Sequence, residues 1–462
     1  MYCLQNRWKL ENKRLRYYGL RNKSVMFKNV VKLTAKQAKI VSRLPCELTD
    51  REYKCVGKLV GVQIVEENAK RVTPRSLDEA RFCARCAAND FIIPGLEFDE
   101  NGLCPMCQTV DETKNLKSVV PIKNVFPRSK KSRFDVAVFY TGGKDSTFVL
   151  YYLSKVLSLR VLALTWEIPY ISENAAQSIQ NAKRSLPNVE FIMRKVCDAD
   201  LKKIYSYLYK IADNTCLCPS LAYVLFYPEL VANKVPYFVA GNEPAQLAGL
   251  YYNHMAPKLA YGFANNKFLN FIINLGRVLT LHPPLKKGQF HTLATMKQLA
   301  YGDPAIKKIS GYGNALVSNA VEAIHTVPLM VKPLKRAIRK SSRSGNIPAF
   351  VQVDLDGICG GTYNWRQIKD TIVSECGWVP PDENDKGLHT SCKIEKCKEY
   401  SQFKRFYEMK SNMIPFSALE IALASRDKAL SRAEAIAELN AALGFSLDEI
   451  PECAIMREYF EQ

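Results

Sequence analysis

Short apolar runs alternate with amphipathic segments from residue 134 onward. Four of the apolar runs have the length of buried strands, and they lie at residues 135–140, 161–166, 189–193 and 236–240. The segments between and after them carry apolar residues on one helical face, at residues 146–157, 172–185, 199–212 and 220–233. This alternation predicts an α/β fold with a doubly wound parallel sheet, which has helices on both faces.

The chain before this alternation is predicted to add smaller parts. Residues 1–80 form a basic N-terminal arm, in which residues 1–44 are partly helical and residues 58–65 alternate as a strand does. Residues 111–133 carry two prolines and a run of basic residues and serines, which is typical of a linker.

The second half of the chain is predicted to be mainly helical. Residues 255–345 interrupt the α/β pattern as a basic insertion that forms a lid or a docking surface. Residues 346–462 hold the end of the core, with a strand at residues 350–356, and a helical C-terminal region. In that region Ser431 and Glu434 have the spacing of a capping box, in which a serine and an acid cap one helix start.

Cysteine usage points to metal binding rather than to disulfides. The chain has 15 cysteines, and its N-terminal residues include no apolar core of signal-peptide length. Two Cys-x-x-Cys pairs lie within residues 81–110: Cys83 with Cys86, and Cys104 with Cys107. Because this spacing lets both thiolates of a pair bind one tetrahedral ion, we predict a zinc-ribbon-like module with structural Zn²⁺. An iron–sulfur cluster and a redox dithiol are the alternatives.

Residues 141–147, Thr-Gly-Gly-Lys-Asp-Ser-Thr, follow the first predicted strand and open the first predicted helix. The two glycines permit a tight turn, and the unpaired N–H groups of the turn and of the helix start point at an anion. Lys144, Ser146 and Thr147 add donors where phosphate oxygens would lie. The segment is not a Walker A loop, since Val138 stands where that motif begins with glycine.

This loop resembles the PP-loop signature [ST]-G-G-x-D-S of the ATP pyrophosphatase superfamily, which includes GMP and asparagine synthetases, tRNA thiolases and sugar amidotransferases. The resemblance implies that residues 134–254 form an enzyme core, which cleaves ATP between its α and β phosphates and adenylates a substrate oxygen. It also implies that Mg²⁺ bridges the phosphates, and that ATP is bound by Thr141, Gly142, Gly143, Lys144, Asp145, Ser146 and Thr147. Among these residues Lys144, Asp145 and Ser146 are the candidates for catalysis.

Further candidates follow later strands, at the edge where open α/β sheets bind ligands. The superfamily places the adenine at the end of the second strand, which in this chain is near Trp166. Glu243, a catalytic candidate, and Gln246 follow the fourth strand and would contact substrate or Mg²⁺. Asp354 and Asp356 end another strand and are candidates for the same edge.

A second group of thiols begins with Cys216 and Cys218, at the predicted start of a helix. The N–H groups of a helix start lower the pKa of a thiol there, so Cys216 is a candidate catalytic thiolate, with structural packing as the alternative. The tRNA thiolases of the PP-loop superfamily carry a similar pair at the corresponding place. Farther along the chain, five Cys and His residues follow no regular ligand spacing, and they would bind a second metal, pack in the core or act together with Cys216 and Cys218. They are Cys359, Cys376, His389, Cys392 and Cys397.

The order of the motifs resembles the N-acetyl sugar amidotransferase group of surface-polysaccharide and pseudaminic acid biosynthesis. The resemblance rests on the cysteine pairs before the PP-loop, on the Gly-Asn-Glu-Pro-Ala segment at 241–245 and on the helix start at Ser431. It implies that ammonia from a partner glutaminase replaces an amide oxygen of a small-molecule or lipid-linked sugar substrate. The alternative is sulfur transfer to a nucleobase or tRNA through Cys216 and Cys218, and the third hypothesis is a basic scaffold without catalysis.

Positive charge is concentrated in two segments of the chain, whose formal net charge is +20. Residues 1–44 hold 12 Lys and Arg with one acid, and residues 255–345 hold 14 with two acids. Such segments attract RNA, anionic lipid headgroups or phosphorylated sugar carriers, unless they are simply solvated surfaces. No uncharged apolar run is long enough for a membrane span, so we predict a cytoplasmic protein, with peripheral membrane association as an alternative.

Overall fold

The computed structural model describes most of the chain and divides it into two compact units. The described residues are 1–21, 29–114, 121–122, 126–211, 217–253, 267–302, 315–381, 391–449 and 454. Unit 1 comprises Met1–Thr113, Glu399–Arg426 and Ser431–Pro451, and unit 2 comprises Lys114–Lys398, Asp427–Leu430 and Glu452–Gln462.

The elements are numbered in chain order. The strands are β1 (Tyr2–Leu4), β2 (Trp8–Glu11), β3 (Arg14–Tyr17), β4 (Val30–Lys32), β5 (Ile64–Glu66), β6 (Pro121–Ile122), β7 (Val136–Phe139), β8 (Val161–Glu167), β9 (Val189–Lys195), β10 (Tyr237–Ala240) and β11 (Ala349–Val353). The first nine α-helices are α1 (Ala35–Val41), α2 (Asp50–Val56), α3 (Pro105–Gln108), α4 (Val110–Lys114), α5 (Lys144–Tyr151), α6 (Glu173–Ser185), α7 (Asp198–Ile211), α8 (Cys218–Ala232) and α9 (Pro244–Tyr252). The remaining described helices are α10 (Lys267–Leu279), α11 (Gln289–Tyr301), α12 (Ala315–His325), α13 (Val331–Ser344), α14 (Leu355–Ile358), α15 (Trp365–Cys376), α16 (Glu395–Tyr407), α17 (Phe416–Arg426) and α18 (Arg432–Leu443).

Unit 1 begins with short antiparallel strands. Strand β1 pairs with β5, and β2, β3 and β4 form a three-stranded sheet. The prediction that residues 1–44 are partly helical is confirmed by α1, while the described residues before α1 form the strands β1 to β4. In β3 the burial alternates, with Leu15 and Tyr17 in the core and Arg14 exposed, which is the period of a strand.

Two further predictions fall in unit 1. The strand predicted over 58–65 is confirmed only at its end, where β5 begins at Ile64. A 3₁₀ turn occupies Gly57–Leu59, and Gly61, at φ +89°, interrupts the run before β5. The helix start at Ser431 is confirmed: its hydroxyl accepts from the Glu434 N–H, and the Glu434 carboxylate accepts from the Ser431 N–H.

Unit 2 is built on a six-stranded, fully parallel sheet with the order β6-β11-β10-β7-β8-β9. The four strands predicted in the α/β segment are confirmed as β7, β8, β9 and β10, and the predicted strand at 350–356 is confirmed in its first part as β11. From β7 the chain adds β8 and β9 on one side, and then β10 and β11 on the other. The gap between β7 and β10 is thus a topological switch point, where open α/β sheets bind ligands beyond the carboxyl ends of the strands.

Helices cover both faces of this sheet, as the doubly wound prediction requires. Helix α15 packs against α5 and α6, while α8 packs against α12 and α13. Ala137 and Phe139 of β7 belong to the large core cluster that includes α7, α8, α11, α12 and α13. Since successive side chains of a strand point to opposite faces, Val136 and Val138 face the other layer.

The described part of the predicted basic insertion, residues 255–345, is helical. Helices α11, α12 and α13 each bury apolar residues in the core cluster, whereas α10 has no buried residue. Across the described residues, no helix has both the length and the apolar character needed to cross a membrane.

Candidate functional site

The loop between β7 and α5 has a backbone that only glycine permits. Gly142 has a φ of +76°, and a Cβ atom there would lie 2.6 Å from the carbonyl oxygen of Ala175. On the other side, the indole Nε1 of Trp378 donates to the Gly142 carbonyl oxygen over 3.0 Å. The turn is therefore held between α6 and the segment after α15, with no room for a side chain.

The hydroxyl groups of the loop bond to the loop itself. The Thr141 N–H donates to Ser146 Oγ over 3.3 Å, and Thr147 Oγ1 donates to the carbonyl oxygen of Gly143 over 2.8 Å. Gly143 is the N-cap of α5, and no side chain caps the helix. The N–H groups of its first turn are thus available to an anion, as the positive end of a helix favours.

Lys144 lies between two carboxylates at the start of α5. Its Nζ atom is 2.5 Å from Asp145 Oδ1 and 2.9 Å from Glu243 Oε2. The side chain of Lys144 is 12% exposed and that of Glu243 is fully buried. Burial disfavours the charge on Lys144, but the carboxylates of Asp145 and Glu243 outweigh it and raise the pKa of the ammonium group.

Two aromatic residues that the sequence did not single out complete the surroundings of Lys144. The Nζ atom lies 4.8 Å from the ring centroid of Tyr363 and 4.4 Å from that of Trp365, which are cation–π distances. The Tyr363 hydroxyl donates to Asp145 Oδ1 over 2.8 Å. Both rings follow the Gly-rich turn at 357–361. In the sequence, the Tyr-x-Trp pattern after this turn is the feature that could have pointed to these two residues.

Asp354 and Asp356 were candidates for the ligand edge, but the structure gives them local partners. Asp354 caps α14 by accepting from the Gly357 N–H over 3.0 Å. Asp356 Oδ1 accepts from the Tyr363 N–H over 2.8 Å, so its carboxylate fixes the turn that carries Tyr363. Burial, together with the charges of Asp354 and Asp427, raises the pKa of Asp356.

The loop after β10 lies directly against the loop after β7. A Cβ atom on Gly241 would lie 2.5 Å from the backbone nitrogen of Ser146, so the two backbones meet without a side chain between them. Gln352 Nε2 donates to the Asn242 carbonyl oxygen over 3.0 Å, and Asn242 Nδ2 donates to Gln246 Oε1 over 3.4 Å. Gln246 therefore supports this loop.

The end of β8, where the adenine was predicted, is buried. Trp166 is 9% exposed and packs in the core cluster, so its ring belongs to the interior of unit 2. Thr165, beside it, is 1% exposed, and its hydroxyl has no hydrogen-bond partner among the residues that the structure describes. An unsatisfied hydroxyl at this edge is a donor or acceptor for a ligand.

Two of the predicted thiols come together around a pair of tyrosines. Tyr170 and Tyr205 share a short hydrogen bond, and the Tyr205 hydroxyl is 3.9 Å from Cys218 Sγ. The backbone of Ile171 pairs with that of Cys392 in an isolated antiparallel β-bridge. Burial is the main cause that raises the pKa of Tyr170, and the neighbouring Cys218 and Cys392 add to it. The predicted catalytic thiolate Cys216 lies outside the described residues.

The other cysteines without regular ligand spacing do not form a ligand group. Burial raises the pKa of both Cys359 and Cys376 to about 11, so the two thiols stay protonated at neutral pH. Within the described ranges no three of Cys359, Cys376, Cys392 and Cys397 bring their sulfur atoms together, and His389 lies outside those ranges.

The four cysteines of the two Cys-x-x-Cys pairs meet in the interior of unit 1. All four are buried, and their sulfur atoms all lie within 4.8 Å of one another. The Sγ atoms of Cys83 and Cys107 are 3.8 Å apart, and those of Cys86 and Cys104 are 3.7 Å apart. An ion with metal–sulfur bonds of about 2.3 Å holds tetrahedral ligands about 3.8 Å apart, so the spacing fits one ion.

Backbone N–H groups surround these sulfur atoms as well. The N–H groups of Arg85 and Cys104 point at Cys83 Sγ, and that of Ala88 points at Cys86 Sγ, over 3.3 to 3.5 Å. This donor shell suits thiolates, which are the form that binds metal.

Comparison with known proteins adds little beyond this geometry. No protein-family model matches the chain, and no curated protein matches it. Among solved structures, one match is the U34-tRNA thiolase NcsA from Methanococcus maripaludis, with its [4Fe-4S] cluster. It is 17% identical and covers 58% of this chain and 86% of that chain, with a TM-score of 0.23. At this TM-score the match does not show a shared fold, and nothing about this chain's activity follows from it.

Proposed function

We propose that this chain is an ATP-dependent adenylating enzyme of the PP-loop type, with its active site at the switch point of unit 2. The observation that carries the proposal is Lys144, buried between Asp145 and Glu243 where the β7 and β10 loops meet. A charged lysine, two carboxylates and an uncapped helix start are the groups that binding of a metal–triphosphate requires.

In this proposal each residue of the loop has a defined task. The N–H groups at the start of α5 bind the β and γ phosphates together with Lys144, whereas the hydroxyl groups of Ser146 and Thr147, which bond to the loop itself, stabilise the loop. Asp145 and Glu243 are oxygen ligands of the kind that Mg²⁺ prefers, and the ion, when bound, neutralises charge on the phosphate oxygens. The Thr165 hydroxyl is available to the nucleotide at the end of β8.

The proposed reaction is a displacement at the α phosphorus. An oxygen atom of the acceptor forms a bond to this phosphorus, and the bond to the bridging oxygen of the β phosphate breaks, which releases pyrophosphate. The acceptor then carries AMP, a good leaving group, and a nucleophile replaces that oxygen. The chain contributes positioning and positive charge, which stabilise the charge that develops on the departing pyrophosphate.

ATP binding tests the assignment of the site. The matched pair is Lys144→Met and Lys155→Met, since Lys155 is also ion-paired, with Glu375, but lies at the surface. We expect Lys144→Met to weaken MgATP binding about tenfold or more, because it removes a buried, fixed charge. Lys155→Met should bind as wild type does. Equal affinities for Lys144→Met and wild type, with the fold intact by circular dichroism, would refute the site.

The nucleophile is a second, finer part of the proposal. The motif order supports nitrogen transfer to a sugar, with ammonia from a separate glutaminase. The placement of Cys218 and Cys392 near Tyr170 supports sulfur transfer, for which a nucleobase or RNA would be the acceptor. The thiol cluster favours sulfur, because nitrogen transfer gives these cysteines no task.

Cys392→Ser distinguishes the two nucleophiles. Sulfur transfer, in which a donor persulfide passes its outer sulfur to the Cys392 thiol and leaves as a thiol, predicts that this variant still releases pyrophosphate from ATP. It also predicts that the variant carries no persulfide at position 392 and no longer forms the thiolated product. Nitrogen transfer predicts that the product forms at the wild-type rate when ammonium is supplied. Cys46→Ser, a half-buried cysteine of unit 1, is the control.

For unit 1 we propose a structural Zn²⁺ bound by Cys83, Cys86, Cys104 and Cys107. The short distances between the cysteine sulfur atoms favour a single ion. In a multi-iron cluster each cysteine binds a different iron, so the cysteine sulfur atoms lie farther apart. Four sulfur ligands leave no open position for chemistry, so the ion contributes to folding rather than to the reaction.

A further inference from the structure

Helix α10 presents an apolar side to solvent, while its half-buried positions include Asn274 and Arg277 as well as Leu269 and Ile273. Its outward residues are between 47% and 76% exposed: Phe268, Phe271, Ile272, Leu275, Val278 and Leu279. They recur at helical spacing and therefore form one continuous face. A surface helix of a globular domain normally has the opposite orientation, with its apolar face in the core.

The inward side of α10 is anchored by polar groups. Asn274 Oδ1 accepts from the Leu285 N–H over 2.7 Å, and Asn274 Nδ2 donates to the Leu285 carbonyl oxygen over 3.1 Å. Arg277 donates to the carbonyl oxygens of Pro283 and Ser342, over 2.8 and 3.1 Å. These bonds fix the rotation of the helix about its axis, so the outward direction of the apolar face is built into the fold.

Basic residues lie beside this apolar face. The contact between Arg277 and Ser342 brings the end of α13 to α10, and α13 has an exposed basic face with Arg336, Lys340 and Arg343. Lys286 and Lys287, exposed, follow α10. Within the described stretches 267–302 and 315–345 there is one acid, Glu322.

We propose that α10 and the adjoining end of α13 dock this protein on an anionic lipid bilayer. An exposed row of Phe, Ile, Leu and Val gains by insertion among acyl chains, and flanking Lys and Arg gain by contact with acidic headgroups. RNA offers phosphates but nowhere to bury aliphatic side chains. A second copy of this surface would carry the same positive charge, which opposes pairing, whereas anionic lipid has the complementary charge.

The test is co-flotation of the full chain with lipid vesicles. Vesicles of phosphatidylcholine and phosphatidylglycerol in equal parts are compared with vesicles of phosphatidylcholine alone. The test variant carries Phe271→Ser and Leu275→Ser, and the matched control carries Val62→Ser and Val72→Ser, which are 44% and 89% exposed in unit 1. MgATP binding, which does not involve α10, checks that each variant is folded.

We expect the wild type and the control to float with the anionic vesicles, and the test variant to lose vesicle affinity about tenfold or more. A separate variant, Phe271→Trp, should show a blue shift of fluorescence with the anionic vesicles. Lack of binding to the anionic vesicles, or equal binding by the test variant, would overturn the proposal. So would a wild-type dimer that becomes monomeric in the test variant, because the apolar face would then be an interface between copies.

Discussion

The hydroxyl group of Tyr363 donates a hydrogen bond to Oδ1 of Asp145 over 2.8 Å, although the two residues are 218 positions apart. The same carboxylate pairs with Lys144, so a residue after β11 restrains the loop between β7 and α5. Asp356 in turn accepts from the Tyr363 N–H. The loop is thus held by a series of contacts that begins after β11, on the other side of the switch point.

Tyr363→Phe should keep the fold and impair the site. The variant removes one hydrogen bond to a charged group and leaves the ring beside Lys144, so we expect ATP cleavage to slow about tenfold. Steady-state pyrophosphate release measures the effect. Tyr207→Phe, which alters a tyrosine with a surface bond to Glu322, should have the wild-type rate. If Tyr363→Phe also has that rate, the hydroxyl has no part in positioning Asp145.

Gly142→Ala should damage the loop because two constraints meet at this glycine. The backbone has a positive φ, and the new Cβ would collide with the Ala175 carbonyl oxygen. We expect a loss of about 2–4 kcal/mol in unfolding free energy and loss of MgATP binding. Gly57→Ala is the control, since no atom lies within 4 Å of its Cβ position, and it should be neutral or slightly stabilising.

Cys83→Ser should remove zinc from the protein and destabilise it. The serine hydroxyl cannot replace a thiolate among four sulfur ligands, and the binding energy of a structural ion is part of the folding energy. We expect one equivalent of zinc to be lost, with a decrease of about 4 kcal/mol or more in unfolding free energy. Metal analysis and urea denaturation measure both quantities. Unchanged zinc content would contradict the four-cysteine site, and Cys46→Ser should retain the metal.

The stability of the protein should fall on mild acidification because of His291, which lies on α11 beside the ring of Phe350. Burial lowers the pKa of His291 from 6.5 to about 4. Above pH 6.5 the ring is neutral in both the folded and the unfolded chain. Below it the unfolded chain takes up a proton that the folded chain does not, which costs up to about 3 kcal/mol by pH 4.

Urea denaturation at several pH values tests the assignment to His291. His291→Gln should flatten the curve between pH 6.5 and about 4, because the substituted side chain does not titrate there. An identical pH dependence for His291→Gln and wild type would show that other groups cause the loss of stability.

The α/β part of the fold could be predicted because its local patterns agree with its tertiary contacts. The strands β7 to β10 are apolar runs of strand length, and they remain strands in a sheet that buries both faces. In unit 1 the strands β1 to β4 are only three or four residues long, so residues 1–44 show no clear period and are predicted to be partly helical. The pairing of β2, β3 and β4 shows that these segments are strands.

The loop of the candidate site could be predicted from the sequence, but the aromatic residues that surround Lys144 could not. Gly142, Lys144 and Asp145 are contiguous, so a motif can represent them. Tyr363 and Trp365 reach Lys144 only after five strands have formed, and no spacing rule connects residues at that separation. Asp356 is the opposite case, because its place after a strand predicts contact with a bound ligand. Its carboxylate instead accepts a hydrogen bond from the Tyr363 N–H.

Nucleotide analogues test most directly whether the protein cleaves ATP between its α and β phosphates. The protein is incubated with Mg²⁺ and either ATP, its β,γ-imido analogue or its α,β-methylene analogue, and the products are separated by chromatography. We expect AMP from the first two nucleotides and no cleavage of the third, with all activity lost in Lys144→Met. Formation of ADP from ATP, together with resistance of the β,γ-imido analogue, would contradict cleavage between the α and β phosphates.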